Sequence, residues 1–370
     1  MVLQLAPVPP PASDMVSPAG RLGGLSMLGM PQYLPSLPQA EASNTEGFPF
    51  ARGSSGAGVG DLQQRLTRLG YSIGDDTTRQ FGPGTEIAVV TFQRDRGLRG
   101  DGICGAHTWS SVVEAGFSLG DRLLYRRAPM LHGDDVADLQ RKLSALGFDP
   151  GGVDGIFGDQ TGTAVADFQH NIGIPDDGIF GPKTLSELNR LSIRRGGEDL
   201  VSVVRERLRV RRAKGTLEGR VVVVGETGGF QVGAVAVARA LGTAGAHPIT
   251  VHHPDDSEQA DAANTADADC YVGLRISPGQ PGVRTFYYRG YRYESVTSKH
   301  LAEILSRHLT RALGLPDEGS DGMALPVLRQ TRMPAVLIEL GAPSTVAVHL
   351  AQLADSVLQS LEDWVSQDWS

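Results

Sequence analysis

Leucines recur at spacings of three and four in two separate stretches: Leu62, Leu66 and Leu69, then Leu139, Leu143 and Leu146. That spacing puts each set on one face of a helix. A glycine closes each pattern (Gly70, Gly147), suited to the left-handed residue that ends many helices, and an aromatic follows, Tyr71 or Phe148. A second helical stretch, TEIAVVTFQ or TGTAVADFQ, opens at a threonine suited to N-capping. A third follows DGICGAHT or DGIFGPKT, where Gly102, Gly105, Gly178 and Gly181 permit tight turns with positive φ and Thr108 and Thr184 begin the helix. The chain thus holds an internal repeat of a three-helix unit. The offset is 77 at Leu62 and Leu139 and 76 at Phe92 and Phe168, one residue of slippage in a loop.

After residue 219 the pattern changes. VVVV (221–224) reads as a buried strand, GETGG as a turn, and 232–245 as a helix. Strands at PITVHH, 269–277, 283–289 and 335–340 alternate with helices at DSEQADAANTA, 295–313 and 344–365. Such alternation predicts an α/β domain with a mostly parallel sheet. The whole chain is therefore multidomain: two small all-α modules (57–118 and 130–192) and an α/β domain (219–367). Residues 1–56 are rich in Pro, Ser, Gly and Ala and read as a disordered tail. Residues 193–218 read as a charged linker with a helix.

The net charge of -8 over 370 residues argues against a nucleic-acid binder, whose footprint is basic. No stretch approaches the roughly 20 apolar residues that span a bilayer. The N-terminal stretch has neither a basic region nor an apolar core of export-signal length, so a cytoplasmic location is expected, or a wall-associated one if the true start lies upstream. Cys104 and Cys270 fall in different domains with no metal-ligand spacing, and read as small buried hydrophobes rather than a disulfide. VVVVGETGGFQVG lacks the GxGxxG and Walker spacings, which argues against a nucleotide site.

Two ordered sets of LQxxLxxLG, FGxxTxxAVxxFQ and DGIxGxxT resemble the peptidoglycan-binding type 1 family over 59–117 and 132–191. The resemblance implies peptidoglycan, a muropeptide or a precursor as ligand. Gln93, Gln169 and His170, read as exposed groups beside the turns, are the candidate contacts. GVRTFYYRG, SKHLAEIL and RMPAVLIELGAPST resemble the amidase type 3 family, zinc N-acetylmuramoyl-L-alanine amidases, over 219–365.

That second resemblance implies a catalytic zinc held by His, Glu and His. Here Thr227 stands where the first His belongs, Gln231–Ala234 offers no carboxylate, and Arg275 stands where the second His belongs. A fixed guanidinium at a metal position repels a divalent cation. The family's catalytic Glu is kept as Glu339, and a pair between it and Arg275 is expected. His247, His252 and His253 are the alternative source of ligands, although adjacent strand residues point to opposite faces. The leading expectation is a binding or regulatory protein with a non-catalytic amidase-like domain, no metal, and no cofactor. The architecture resembles amidase homologues that regulate precursor synthesis inside the cell, which implies a cell-wall synthesis protein as partner. The rival is an active zinc amidase that cuts the bond between N-acetylmuramic acid and L-alanine.

Overall fold

A computed structural model describes residues 48–192, 215–290 and 293–367 of the protein. Module 1 contains α1 (Ala57–Arg68), α2 (Pro83–Asp95) and α3 (Ala106–Ala115). Module 2 repeats them as α4 (Asp134–Ala145), α5 (Asp159–Asn171) and α6 (Pro182–Ser192). The leucine faces close each module: Leu62, Leu66, Val89 and Phe92 are buried in one core and Leu139, Leu143, Val165 and Phe168 in the other. Gly70 and Gly147 take φ of 91° and 96°, as the C-terminal position requires.

Several local details differ from the expected ones. Residues 48–56 belong to module 1 and not to a tail: Phe50 is buried and pairs its backbone with Cys104. The apolar Phe48 and Phe50 rings, stacked beside Trp109, explain why this stretch packs. The middle and last helices of each module begin before their threonines, which sit inside the first turn and not at the cap. Gly102 and Gly178 have the expected positive φ, whereas Gly105, extended at φ -85°, caps α3, and Gly181 does not take a positive φ either. Residues 1–47 of the expected tail and 193–214 of the expected linker lie outside the described residues.

The α/β domain has β1 (Val221–Glu226), α7 (Gln231–Thr243), β2 (His247–His252), α8 (Asp256–Thr265), β3 (Cys270–Ile276) and β4 (Val283–Tyr288). It continues through α9 (Val296–Leu313), β5 (Asp317–Met323), α10 (Pro326–Arg329), β6 (Ala335–Leu340), α11 (Pro343–Val348) and α12 (Leu350–Ser366). The six-stranded sheet has the order β2-β1-β3-β6-β4-β5. β4 runs antiparallel to β6, and the other neighbouring pairs are parallel. One face packs α7, α9 and α12 around Val237, Leu305 and Trp364, and the other packs α8 and α10 around Tyr271 and Leu328. The stretch expected as one last helix is two, parted at His349, whose ψ of 31° interrupts the run.

The α/β domain docks on both modules. Ala324 N donates to the Gly97 carbonyl (2.7 Å), and Tyr288 Oη donates to the Val153 carbonyl (3.2 Å). Arg329 donates through Nε to the Asp154 carbonyl at 2.6 Å and through Nη2 to Glu114 at 3.0 Å. The modules are tied to each other by Arg96, whose Nη1 lies 2.7 Å from both oxygens of Asp134.

Candidate functional site

The glutamines of the repeat are structural. Gln93 and Gln169 are only 1% and 2% exposed, so neither reaches a ligand, contrary to expectation. Gln169 donates to Asp177, the Ile179 carbonyl and Thr184, and accepts from Gly178 N. Gln93 makes the same bonds to Asp101, Ile103, Thr108 and Gly102. Gln140 holds Asp154, Ile156, Thr161 and Gly155 in this way, and Gln63 holds Thr77, Gln80, Thr85 and Arg79. Each clamp fixes the turn that enters the next helix, so every module contains the device twice. His170 is exposed and faces Asp176 at 3.3 Å, a surface position away from the buried clamp.

In the α/β domain the candidate positions gather at the C-terminal ends of β1, β3 and β6, where crossovers to helices open a crevice in such sheets. β1 ends at Glu226, a buried carboxylate that accepts from Gly228 N (2.8 Å) and Phe230 N (3.2 Å) and pairs with His252 at the end of β2. Gly228 and Gly229, at φ 120° and 87°, turn the chain from Thr227 into α7. Glu339 is the strand partner of Arg275 on β3 and of Arg284 on β4. Arg275 Nη1 lies 3.6 Å from Glu339 Oε1, the expected pair, and Nη2 lies 3.1 Å from Asp256. Arg284 continues outward to Glu318 (3.8 Å) and Asp321 (3.7 Å) on β5. Cations and carboxylates therefore alternate across four strands. Burial pushes the Asp256 carboxyl above its ordinary value, and Arg275 opposes that push.

A catalytic zinc needs three nitrogen, sulfur or carboxylate ligands and an open position for water. The residues gathered here do not fit such an ion: Thr227 brings a neutral hydroxyl, Arg275 a fixed positive charge, and Glu226 is held by two backbone N–H groups and His252. Among the described residues no group of three or more His, Cys, Asp and Glu is placed to hold a metal. His247 starts β2 and His252 ends it, while His253 Nδ1 accepts from Asp255 N, so the three histidines do not converge. Cys104 and Cys270 are free and buried, and burial pushes both thiols up to about 12. No helix among the described residues is long and apolar enough to cross a membrane. Sequence reasoning missed Asp256, Arg284 and Arg329. Arg284 carried a signal, since it lies in the GVRTFYYRG strand beside the one that carries Glu339.

Residues 55–111 and 132–188 match the peptidoglycan binding domain family, and 233–356 match the N-acetylmuramoyl-L-alanine amidase family. The second match starts beyond Thr227. The chain is similar to the N-acetylmuramoyl-L-alanine amidase CwlM of Mycobacterium tuberculosis, 34% identical over 337 residues, covering 80% of this chain and 82% of that one. It is 30% identical over 175 residues to the N-acetylmuramoyl-L-alanine amidase CwlL of Bacillus licheniformis, covering 41% of this chain and 48% of that one. Among solved structures, an N-acetylmuramoyl-L-alanine amidase from Clostridium difficile 630 aligns with a TM-score of 0.34 and 19% identity, over 40% of this chain and 98% of that one.

Proposed function

The chain belongs to the N-acetylmuramoyl-L-alanine amidase family, and from that membership we propose that it works in cell-wall metabolism as a peptidoglycan- or precursor-binding protein whose amidase-like domain does not hydrolyse. The observation that carries the second half is Arg275. Its guanidinium, which the family resemblance puts where a metal ligand belongs, is engaged by Asp256 and Glu339. Glu339 is paired with a permanent cation, and without a metal-bound water it has no nucleophile to activate. The domain then serves as a recognition surface, and a protein of cell-wall synthesis is the partner class that goes with that role.

The competing reading is an active zinc amidase that cleaves the bond between N-acetylmuramic acid and L-alanine. Glu339 at the end of β6 favours it. Elemental analysis of the purified full chain, together with peptide release from purified peptidoglycan, separates the two. Zinc below about a tenth of an equivalent with no release is expected, because an intact site holds its metal tightly. Near-stoichiometric zinc with peptide release overturns the non-catalytic reading.

A further inference from the structure

The two modules and the amidase-like domain surround an open cavity of about 250 Å³ that none of them forms alone. Module 1 supplies Arg96 and Glu114, module 2 supplies Asp134 and Asp138, and the amidase-like domain supplies Tyr293 and Arg329. The cavity is a built feature of the docked molecule. Arg96 reaches both oxygens of Asp134 through its Nη1, and Arg329 bridges Glu114 of one module to the Asp154 carbonyl of the other.

The lining discriminates between the two halves of peptidoglycan. The glycan is rich in hydroxyls, and its sugar rings bring no cation. The stem peptide carries carboxylates and, on its diamino acid, an ammonium. The cavity presents both signs within one small volume, with carboxylates in excess: Glu114, Asp134 and Asp138 against Arg96 and Arg329. Burial pushes the Asp134 carboxyl up, Arg96 opposes the push, and the neighbouring Asp138 and Glu114 add to it. Planar guanidinium groups suit a carboxylate, and tyrosine faces suit an aliphatic stem. At about 30 Å³ per water volume the space equals roughly eight waters, enough for about two amino-acid residues whose neighbours leave through the mouth.

We propose that this junction cavity binds the peptide stem of peptidoglycan, with a stem carboxylate toward Arg96 and Arg329 and the diamino-acid ammonium toward Asp138. The inference rests on the reading that the protein binds peptidoglycan or its precursors, and it places that ligand between the domains rather than on either module.

Titration calorimetry on the full chain tests it, with the free tripeptide L-alanyl-γ-D-glutamyl-diaminopimelate and with the peptide-free N-acetylglucosamine–N-acetylmuramic acid disaccharide as probes. Two substitutions on the cavity wall, Ser111→Trp in module 1 and Ala137→Phe in module 2, fill the space from different elements, so one variant remains if the other misfolds. The tripeptide is expected to bind and the disaccharide not. Each filled variant that keeps the wild-type melting temperature is expected to bind at least tenfold more weakly. Val348→Ser, a solvent-facing control, is expected to match wild type. Equal binding of the tripeptide by wild-type and filled chains overturns the proposal, as does binding of the disaccharide with the tripeptide silent. Retention of whole sacculi by the wild-type chain and both filled variants, with no response of the wild-type chain to the tripeptide, overturns it while leaving peptidoglycan binding intact. Failure of the wild-type chain to bind either probe or sacculi removes the underlying reading and this inference with it.

Discussion

A buried glutamine side chain must satisfy both ends of its amide, and Gln140 does so across one turn. Its carbonyl accepts from Asp154 N and Gly155 N, and its amide donates to Asp154, the Ile156 carbonyl and Thr161. Gln140→Leu keeps the volume and strands several of these groups at once. Each buried unsatisfied group costs about 1–3 kcal/mol, so a loss of about 3 kcal/mol is expected in the urea unfolding of the full chain. An unchanged midpoint would mean that water replaces the amide. The clamp also explains Arg79. The clamped turns of Gln93, Gln140 and Gln169 place glycines at φ 74°, 71° and 68°, and in the fourth clamp Arg79 takes φ 66°. A left-handed L-residue costs roughly 1–2 kcal/mol, partly offset by the chain entropy of glycine. Arg79→Gly is therefore expected to raise stability by about 0.5–1 kcal/mol in the same assay. These residues were only partly legible in the sequence. Glutamine is usually exposed, which is why Gln93 and Gln169 looked like surface groups. What marked them as internal was their recurrence beside a core hydrophobe, as Leu-Gln or Phe-Gln, in each of the four clamps.

Helices and strands with strong periodicity were the legible elements, and those held by single polar contacts or by tertiary pairing were not. The β6 strand was readable because AVLIEL is apolar almost throughout and sits in the sheet interior. By contrast β5, DEGSDGM, has neither alternation nor β-branched residues. It is a strand because β4 offers it a free edge, and its acidic side chains guard that edge against pairing with other chains. The start of α2 shows a similar dependence on one contact. Asp76, six residues before the N-cap glycine, accepts from Gly82 N, Gly84 N and Thr85 N. Burial alone would push its carboxyl up, but these bonds, with Thr85 foremost, outweigh it and hold the carboxyl below its ordinary value. A depressed carboxyl stabilises the fold fully above its unfolded pKa, and that contribution is lost as pH falls through the lower folded value. Asp76→Asn is accordingly expected to cost about 1 kcal/mol at neutral pH, the worth of a good N-terminal cap. The difference from wild type should shrink in acid unfolding below about pH 4, near the reference carboxyl value. A gap that stays constant with pH would show that the charge of Asp76 does not matter.

At the scale of the whole molecule, the domains were legible and their docking was not, because the contacts that join them are backbone carbonyls and lone side chains without periodicity. Gly97 is the sharpest instance. It has φ 66°, its carbonyl accepts from Ala324 N, and a Cβ added there would fall against the Arg289 carbonyl. Gly97→Val therefore strains module 1 locally and wedges it from the amidase-like domain. Arg329→Ala removes the same docking without a clash, since Arg329 alone reaches Glu114 and the Asp154 carbonyl together. Burial pushes the Glu114 carboxyl up, but His132 and Arg329 pull it below its ordinary value. The stabilisation it gives to docking is thus complete above its unfolded pKa and fades as pH falls through the folded one. Small-angle scattering of the full chain reads all three effects through the radius of gyration. Arg329→Ala and Gly97→Val should both increase it at neutral pH, and the wild-type value should rise toward theirs in acid while each domain keeps its circular dichroism. If both variants stay as compact as wild type, the remaining contacts of Tyr288 and Ala324 are enough to hold the modules, and Arg329 is a passenger at the junction rather than its latch.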